Sequence, residues 1–334
     1  MERNQLKTKK IKEFKTTPDT SITNEYNTTK NGLRSPYLMI AVGVRNTGKS
    51  YTTAKILAQA KEDKLYDRYF MISPTYDSNA RYWNFLGDLL SEEDVFYPTR
   101  DSIDLVIAEI EKERDLWEDY MIDKKLYERF QKLTKNRSSI NNIDFDDLHL
   151  FMDAGFINEE GEFMDVDKPE WFRDIERPAQ CCLVCDDVLG SSALGNASGL
   201  TKLAIMNRHL APLKEPYKNR AALGCACIFL TQSYSGGGGG SHHGIPKALR
   251  LNATHLIFFK NKSDAVMKKI TEELGGVVAE EQFMSAYNFA VQEKHDNLML
   301  DLHPRCPTKK FRRNLTEFII FPEDEAECCC KKKK

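Results

Sequence analysis

Residues Gly43, Val44, Arg45, Asn46, Thr47, Gly48, Lys49 and Ser50 carry the spacing Gly-x-x-x-x-Gly-Lys-Ser. Glycines at its first and sixth positions let a backbone curl tightly and turn its N–H groups toward phosphate oxygens. A lysine at the seventh position reaches the β- and γ-phosphates of a nucleotide, and the following hydroxyl can hold Mg²⁺. Tyr51 comes next and opens an apparent helix, whose positive end adds to the same field. Gly43 through Tyr51 therefore reads as a site for ATP, with Lys49 in the chemistry and Ser50 on the metal.

A second signal is Cys181-Cys182-Leu183-Val184-Cys185-Asp186-Asp187, an apolar run that ends in two carboxylates. Beside a phosphate-binding loop, the first carboxylate binds Mg²⁺ through water, so Asp186 joins Ser50 as a metal residue. Asp187 is placed to polarise the attacking water. It is one methylene shorter than the glutamate usual in related ATPases. A third apolar run, Cys225 to Leu230, ends in Thr231-Gln232. A polar side chain at that strand end can sense the γ-phosphate and the water. Gln232 is assigned this role, with Thr231 as second choice.

These groups must be held by strands that end at one edge. Tyr37–Val42 reads as a strand and Tyr51–Ala60 as a helix, and Arg68–Ser73 reads as a second strand closed by Pro74. Strand, helix, strand is the start of a parallel sheet. The fold class is α/β: a P-loop NTPase with a mostly parallel central sheet flanked by helices. Leu200–His209, Ile245–Arg250 and residues 263–275 read as helices, and His255–Lys260 as a strand. Tyr287–Val291 and Leu298–Leu302 are expected to form a terminal hairpin joined through Lys294–Asn297.

Three regions follow from composition. Residues 1–33 form a flexible basic arm with Arg3, Lys7, Lys9, Lys10, Lys12 and Lys15. Residues 34–303 form the ATPase domain, with a largely helical insertion at about 76–180. Within it 103–133 carries apolar residues at helical spacing, and Trp171 and Phe172 are expected in the core. Residues 304–334 form a C-terminal extension ending in Cys328–Cys330 and four lysines. The loop 234–246, with its run Gly236–Gly240, is expected to be flexible, and this loop or the arm is a candidate DNA contact.

The 334 residues are 41% apolar and 29% charged, with a net charge of −2. That balance neither marks nor excludes a nucleic-acid partner, so any DNA surface must be local. No run of about 18 or more apolar residues occurs, so no membrane span is expected; the cysteines beside the terminal lysines match no standard lipidation signal, so membrane association is not expected either. The start of the chain lacks a signal-peptide core. The internal cysteines are expected to be reduced core residues.

In order, Gly43–Ser50, Leu183–Asp187, Asn207-Arg208-His209, Thr231-Gln232-Ser233, then Ile245-Pro246 with Leu249-Arg250 and Asn252, this set resembles the DNA-packaging ATPases of large double-stranded DNA viruses, including the poxvirus type, and of virophages. These belong to the FtsK- and HerA-like DNA pumps of RecA-like fold. The resemblance covers roughly residues 35–302. It implies a ring, pentameric or hexameric, that hydrolyses ATP at subunit junctions and drives double-stranded DNA into a preformed viral capsid at a portal-like vertex. The location it implies is the virion or the viral factory in the host cytoplasm. Arg208 matches the family's arginine beside histidine and is placed as the arginine finger, with Arg250 as the alternative. The alternative functions are a helicase or other DNA-processing motor, and a nucleotide-regulated assembly scaffold.

Overall fold

The computed structural model describes residues 22–27, 33–135, 143–188, 190–194, 199–234, 244–261 and 263–326. The basic run within 1–21, the Gly236–Gly240 tract and the Cys/Lys tail lie outside these residues.

Two short strands, β1 (Tyr26–Asn27) and β2 (Arg34–Ser35), pair antiparallel. Then come β3 (Leu38–Val42), α1 (Lys49–Glu62), β4 (Arg68–Ile72) and α2 (Tyr76–Asn79). The insertion supplies β5 (Val95–Phe96), the long helix α3 (Ser102–Lys135) and α4 (Phe145–Asp153). The chain returns through β6 (Cys181–Asp186), α5 (Leu200–Met206), the hairpin β7 (Pro212–Tyr217) and β8 (Arg220–Ala222), and β9 (Cys225–Thr231). It closes with α6 (Lys247–Asn252), β10 (His255–Phe259), α7 (Asp264–Leu274), α8 (Glu280–Ala290), β11 (Asn297–Asp301), β12 (Phe311–Arg313) and β13 (Glu317–Ile319).

Nine strands form one sheet in the order β13-β12-β11-β10-β3-β9-β6-β4-β5. From β10 to β5 all neighbours are parallel, and β11 to β13 run antiparallel at one end. The central strands are apolar along their interiors, with polar residues confined to their ends, because both faces are covered. On β3, Leu38, Ile40 and Val42 face α3, α5, α7 and α8, while Met39 and Ala41 face α1. Cys181, Cys182, Cys185, Cys225 and Cys227 are buried free thiols, as the apolar runs imply. The mostly parallel sheet flanked by helices is the expected fold class.

Several boundaries differ from the sequence reading. Tyr287–Val291 is no strand; Tyr287 to Ala290 completes α8. Phe283, Ala286, Tyr287 and Ala290 are its buried residues, a spacing of three, four and seven that is helical. The partners of β11 are β10 and β12, so residues beyond 303 extend the main sheet rather than trail from it. Within the expected flexible arm, residues 23–27 are docked: the backbone N–H groups of Thr23 and Asn24 donate to the Asn219 carbonyl. The insertion is largely helical, but its β5 also adds an edge strand to β4. The helix read at 103–133 is continuous. At 34 residues it is about 50 Å long, and its far end carries a small separate core of Phe130, Phe151, Phe156 and Ile157. Trp171 packs against Trp117 and Tyr120, whereas Phe172 stays 63% exposed and is not a core residue.

Candidate active site at the C-terminal edge of the sheet

Parallel neighbours end at the same edge, and this is what assembles the site. Val42 at the end of β3 leads into the glycine loop, Asp186 closes β6 and Thr231 closes β9. The loop is pinned to the sheet by Gly43 N–H donating to the Thr231 carbonyl at 3.0 Å. The two glycines act differently. Gly48 has φ +100, a conformation that favours glycine. Gly43 is needed for space, since a Cβ there would lie 2.5 Å from Thr47 Oγ1 and 2.9 Å from Phe259 Cβ. Thr47 Oγ1 donates to the Val44 carbonyl at 2.8 Å, and Asn46 turns the loop with φ +64.

The first intrahelical bond of α1 runs from Thr52 N–H to Gly48 O. The backbone N–H groups of Lys49, Ser50 and Tyr51 thus precede the helical ladder, and no side chain caps them. Such a helix start can accept an anion. Lys49 Nζ donates to the carbonyls of Gly43 (2.6 Å) and Val44 (3.1 Å), so its charge lies over the loop. Burial lowers the Lys49 pKa, and the charges of Asp186 and Asp187 act against that shift.

Ser50 Oγ donates to Asp186 Oδ2 at 3.4 Å across 136 residues of sequence. Burial, then the charge of Asp187, pushes the Asp186 carboxyl up to about 6, against the pull of Lys49 and Ser50. A hydroxyl and an under-neutralised buried carboxylate facing one another fit Mg²⁺, a hard cation that takes oxygen ligands. Asp187 follows with φ +56, rare for a residue with a side chain. That turn aims its carboxylate at Gln232, whose Nε2 donates to Oδ1 at 3.2 Å. The structure thus brings Lys49, Ser50, Asp186, Asp187 and Gln232 to one cleft of about 480 Å³. Thr231, the second choice, is buried and its hydroxyl donates to the Ser233 carbonyl in its own turn. Arg45 and Tyr51 are exposed on the cleft wall, which is how so bulky a residue as Arg45 is accommodated in the loop.

Thr75, Asn79 and Arg81 also line the cleft and were not singled out in the sequence. Strand pairing places them: β4 is parallel to β6, so whatever follows Ile72 arrives at the same edge. A smaller cleft of about 190 Å³ adjoins Gly48 and Tyr51 on the side of Asn314 and of His295, the latter in the stretch read as a hairpin turn.

Neither proposed arginine lines the cleft. The Asn207 carbonyl accepts from Cys225 N–H, which puts the Asn207–Arg208 turn at the opposite, N-terminal edge of β9. The seven residues of β9 separate the two edges by about 20 Å. Arg208 is half exposed and pairs with Glu25 at 3.4 Å. Arg250 is held inside its own chain by Glu273, by the Ile245 carbonyl at 3.0 Å and by the Tyr234 ring.

Asp186 carries a prediction with a definite sign. Its carboxyl titrates at about 6 in the folded chain against 3.8 unfolded, so the folded state binds the extra proton between those values. Stability from this group is therefore highest below pH 3.8 and declines as pH rises toward 6. Above pH 6 and without metal, Asp186→Asn is expected to stabilise the chain by about 2–3 kcal/mol. Mg²⁺ should raise the melting temperature of the wild type, less so as pH falls below 6, and leave the variant unmoved. Thermal melts across pH, with and without Mg²⁺, check this; a variant less stable than wild type at neutral pH would refute it.

No protein-family model and no curated protein matches the chain. Among solved structures it is similar to the genome-packaging NTPase B204 of Sulfolobus turreted icosahedral virus 2 in complex with AMPPCP, at 12% identity and a TM-score of 0.39, over 83% of this chain and 96% of that one. It is similar to B204, the DNA-packaging ATPase of Sulfolobus turreted icosahedral virus, at 12% identity and a TM-score of 0.40, over 83% and 96%. The pCW3 conjugation coupling protein TcpA, with ATPγS, is similar at 14% identity and a TM-score of 0.38, over 88% of this chain and 64% of that one.

Proposed function

We propose that this chain is an ATP-hydrolysing motor that drives double-stranded DNA into a preformed viral capsid. The observation that carries the reading is the convergence of Lys49, Ser50, Asp186, Asp187 and Gln232 on one cleft from three parallel strands. The motif series from Gly43 to Asn252, which resembles the packaging ATPases, supports DNA and a capsid vertex as partners. The placing of Arg208 at the far edge supports a ring, pentameric or hexameric, in which each arginine serves a neighbour. The virion or the viral factory is the corresponding location.

The loop amides and Lys49 hold the β- and γ-phosphates. Asp187, oriented by Gln232, takes the proton of the attacking water as the water–phosphorus bond forms and the bond to the β-phosphate oxygen breaks. Ser50 and Asp186 would hold Mg²⁺, which when bound neutralises charge on the β- and γ-oxygens. Arg208 of a neighbouring subunit stabilises charge on the transferring phosphate.

The test is ATP turnover by the full chain, alone and with long double-stranded DNA and assembled capsids. Turnover should rise with DNA, and Lys49→Ala should lower it by about 10²–10³-fold. Turnover indifferent to DNA would remove the motor reading, and unwinding of duplex would point to a helicase. ATP binding without turnover in the presence of capsids would point to a scaffold.

A further inference from the structure

The N-terminal segment is tied to the one turn that carries Arg208. Asn24 is buried, with φ +53, a left-handed conformation that asparagine tolerates. Its Oδ1 accepts from Ala221 N–H at 2.6 Å and its Nδ2 meets His209 Nδ1 at 3.0 Å. The Glu25 carbonyl accepts from Asn219 Nδ2 at 3.1 Å. These bonds fasten the segment over the β7–β8 hairpin and the Arg208–His209 turn, and they fix where the Glu25 carboxylate stands.

That carboxylate has two partners. Oε2 accepts from Arg34 at 3.2 Å, and Arg34 in turn donates to the His303 carbonyl at 2.5 Å. Oε1 accepts from Arg208 NH1 at 3.4 Å. Arg34 and Glu25 are each 25% exposed at the side chain, and Arg208 is 48% exposed. A fixed acid thus holds one nitrogen of a half-exposed guanidinium. The planar guanidinium has five N–H donors, so a single long contact leaves donors for a second acceptor.

We propose that Glu25 is a positioning residue for Arg208, holding its guanidinium ready for the phosphates bound by a neighbouring copy of this chain. This rests on the reading of Arg208 as the arginine supplied between subunits. An arginine at an exposed turn samples many rotamers, and ordering it in the transition state costs rate. Glu25 meets part of that cost beforehand. As a surface ion pair it adds little to folding stability, so its effect belongs in turnover.

Turnover of the full chain, at concentrations where it self-associates, should be compared for the wild type, Glu25→Gln, Arg208→Ala and the double variant. Glu25→Gln is expected to lower kcat by about 3- to 10-fold, with KM for ATP and Tm unchanged. In the Arg208→Ala background the same change should have no further effect. A Glu25→Gln chain with unchanged or faster turnover, beside an Arg208→Ala chain that has lost it, overturns the positioning role and leaves the parent reading standing. So does a loss that persists in the Arg208→Ala background, which would be an effect on the fold. Arg208→Ala with wild-type turnover overturns the parent reading, as does a wild type with no turnover in the presence of double-stranded DNA and assembled capsids.

Discussion

Replacing Arg208 with alanine is expected to lower ATP turnover by about 10³-fold or more while each subunit keeps its affinity for nucleotide. The size follows from the chemistry: a guanidinium beside the transferring phosphate meets charge that grows only in the transition state. The proposal that it acts in trans rests on where the fold puts it. Arg208 lies at the N-terminal edge of β9 and the cleft lies at the C-terminal edge, so no rotamer of Arg208 reaches the site of its own chain. Mixing two inactive variants tests this. In a ring containing both Arg208→Ala and Asp187→Asn subunits, some intact clefts face an intact arginine on an Asp187→Asn neighbour. Such mixtures should regain turnover that neither variant shows alone. A mixture that stays inactive although the variants co-assemble would argue against an arginine shared between subunits. Arg250→Ala is the control: bound to Glu273 and stacked on Tyr234, it should cost stability before turnover.

The second large effect is expected at Asp187. Asparagine there should lower kcat by about 10²–10⁴-fold and leave ATP binding intact, because the proton acceptor is lost and the loop is untouched. The substitution suits the backbone. At φ +56 a branched or bulky residue would be strained, whereas asparagine tolerates this region, and its Oδ1 can still accept from Gln232. Single-turnover hydrolysis beside an equilibrium titration with a non-hydrolysable nucleotide separates the two effects. Wild-type kcat in the Asp187→Asn chain would assign the water to another group. Gln232→Ala should give a smaller loss, because Gln232 orients the carboxylate and does not take the proton.

The glycine loop was legible because all its parts are local. The strand, the turn and the first helical amides lie within 25 residues, and each residue type answers a short-range need: space at Gly43, a positive φ at Gly48, charge at Lys49. The runs ending in Asp186 and Gln232 were legible for a similar reason. A strand buried on both faces is apolar at each position, and polar residues mark where it leaves the sheet. Local signals failed where two structures share one composition. Tyr287–Val291 has strand-like residues, yet the register of Phe283, Ala286 and Ala290 against the sheet made it helix. The short segments β12 and β13 have too few residues to announce themselves, and they are strands because β11 offers them an edge.

Tertiary structure alone brought Ser50 to Asp186 and Asp187 to Gln232, because strand order, which no single segment encodes, sets which strand ends are neighbours. It alone put Thr75 and Arg81 on the cleft wall, and it alone sent Arg208 to the far edge and laid Glu25 against it across 183 residues. The residue types for nucleotide chemistry are thus written in the order of the chain. The edge of the sheet each one occupies follows from which strands pack side by side to bury their apolar faces.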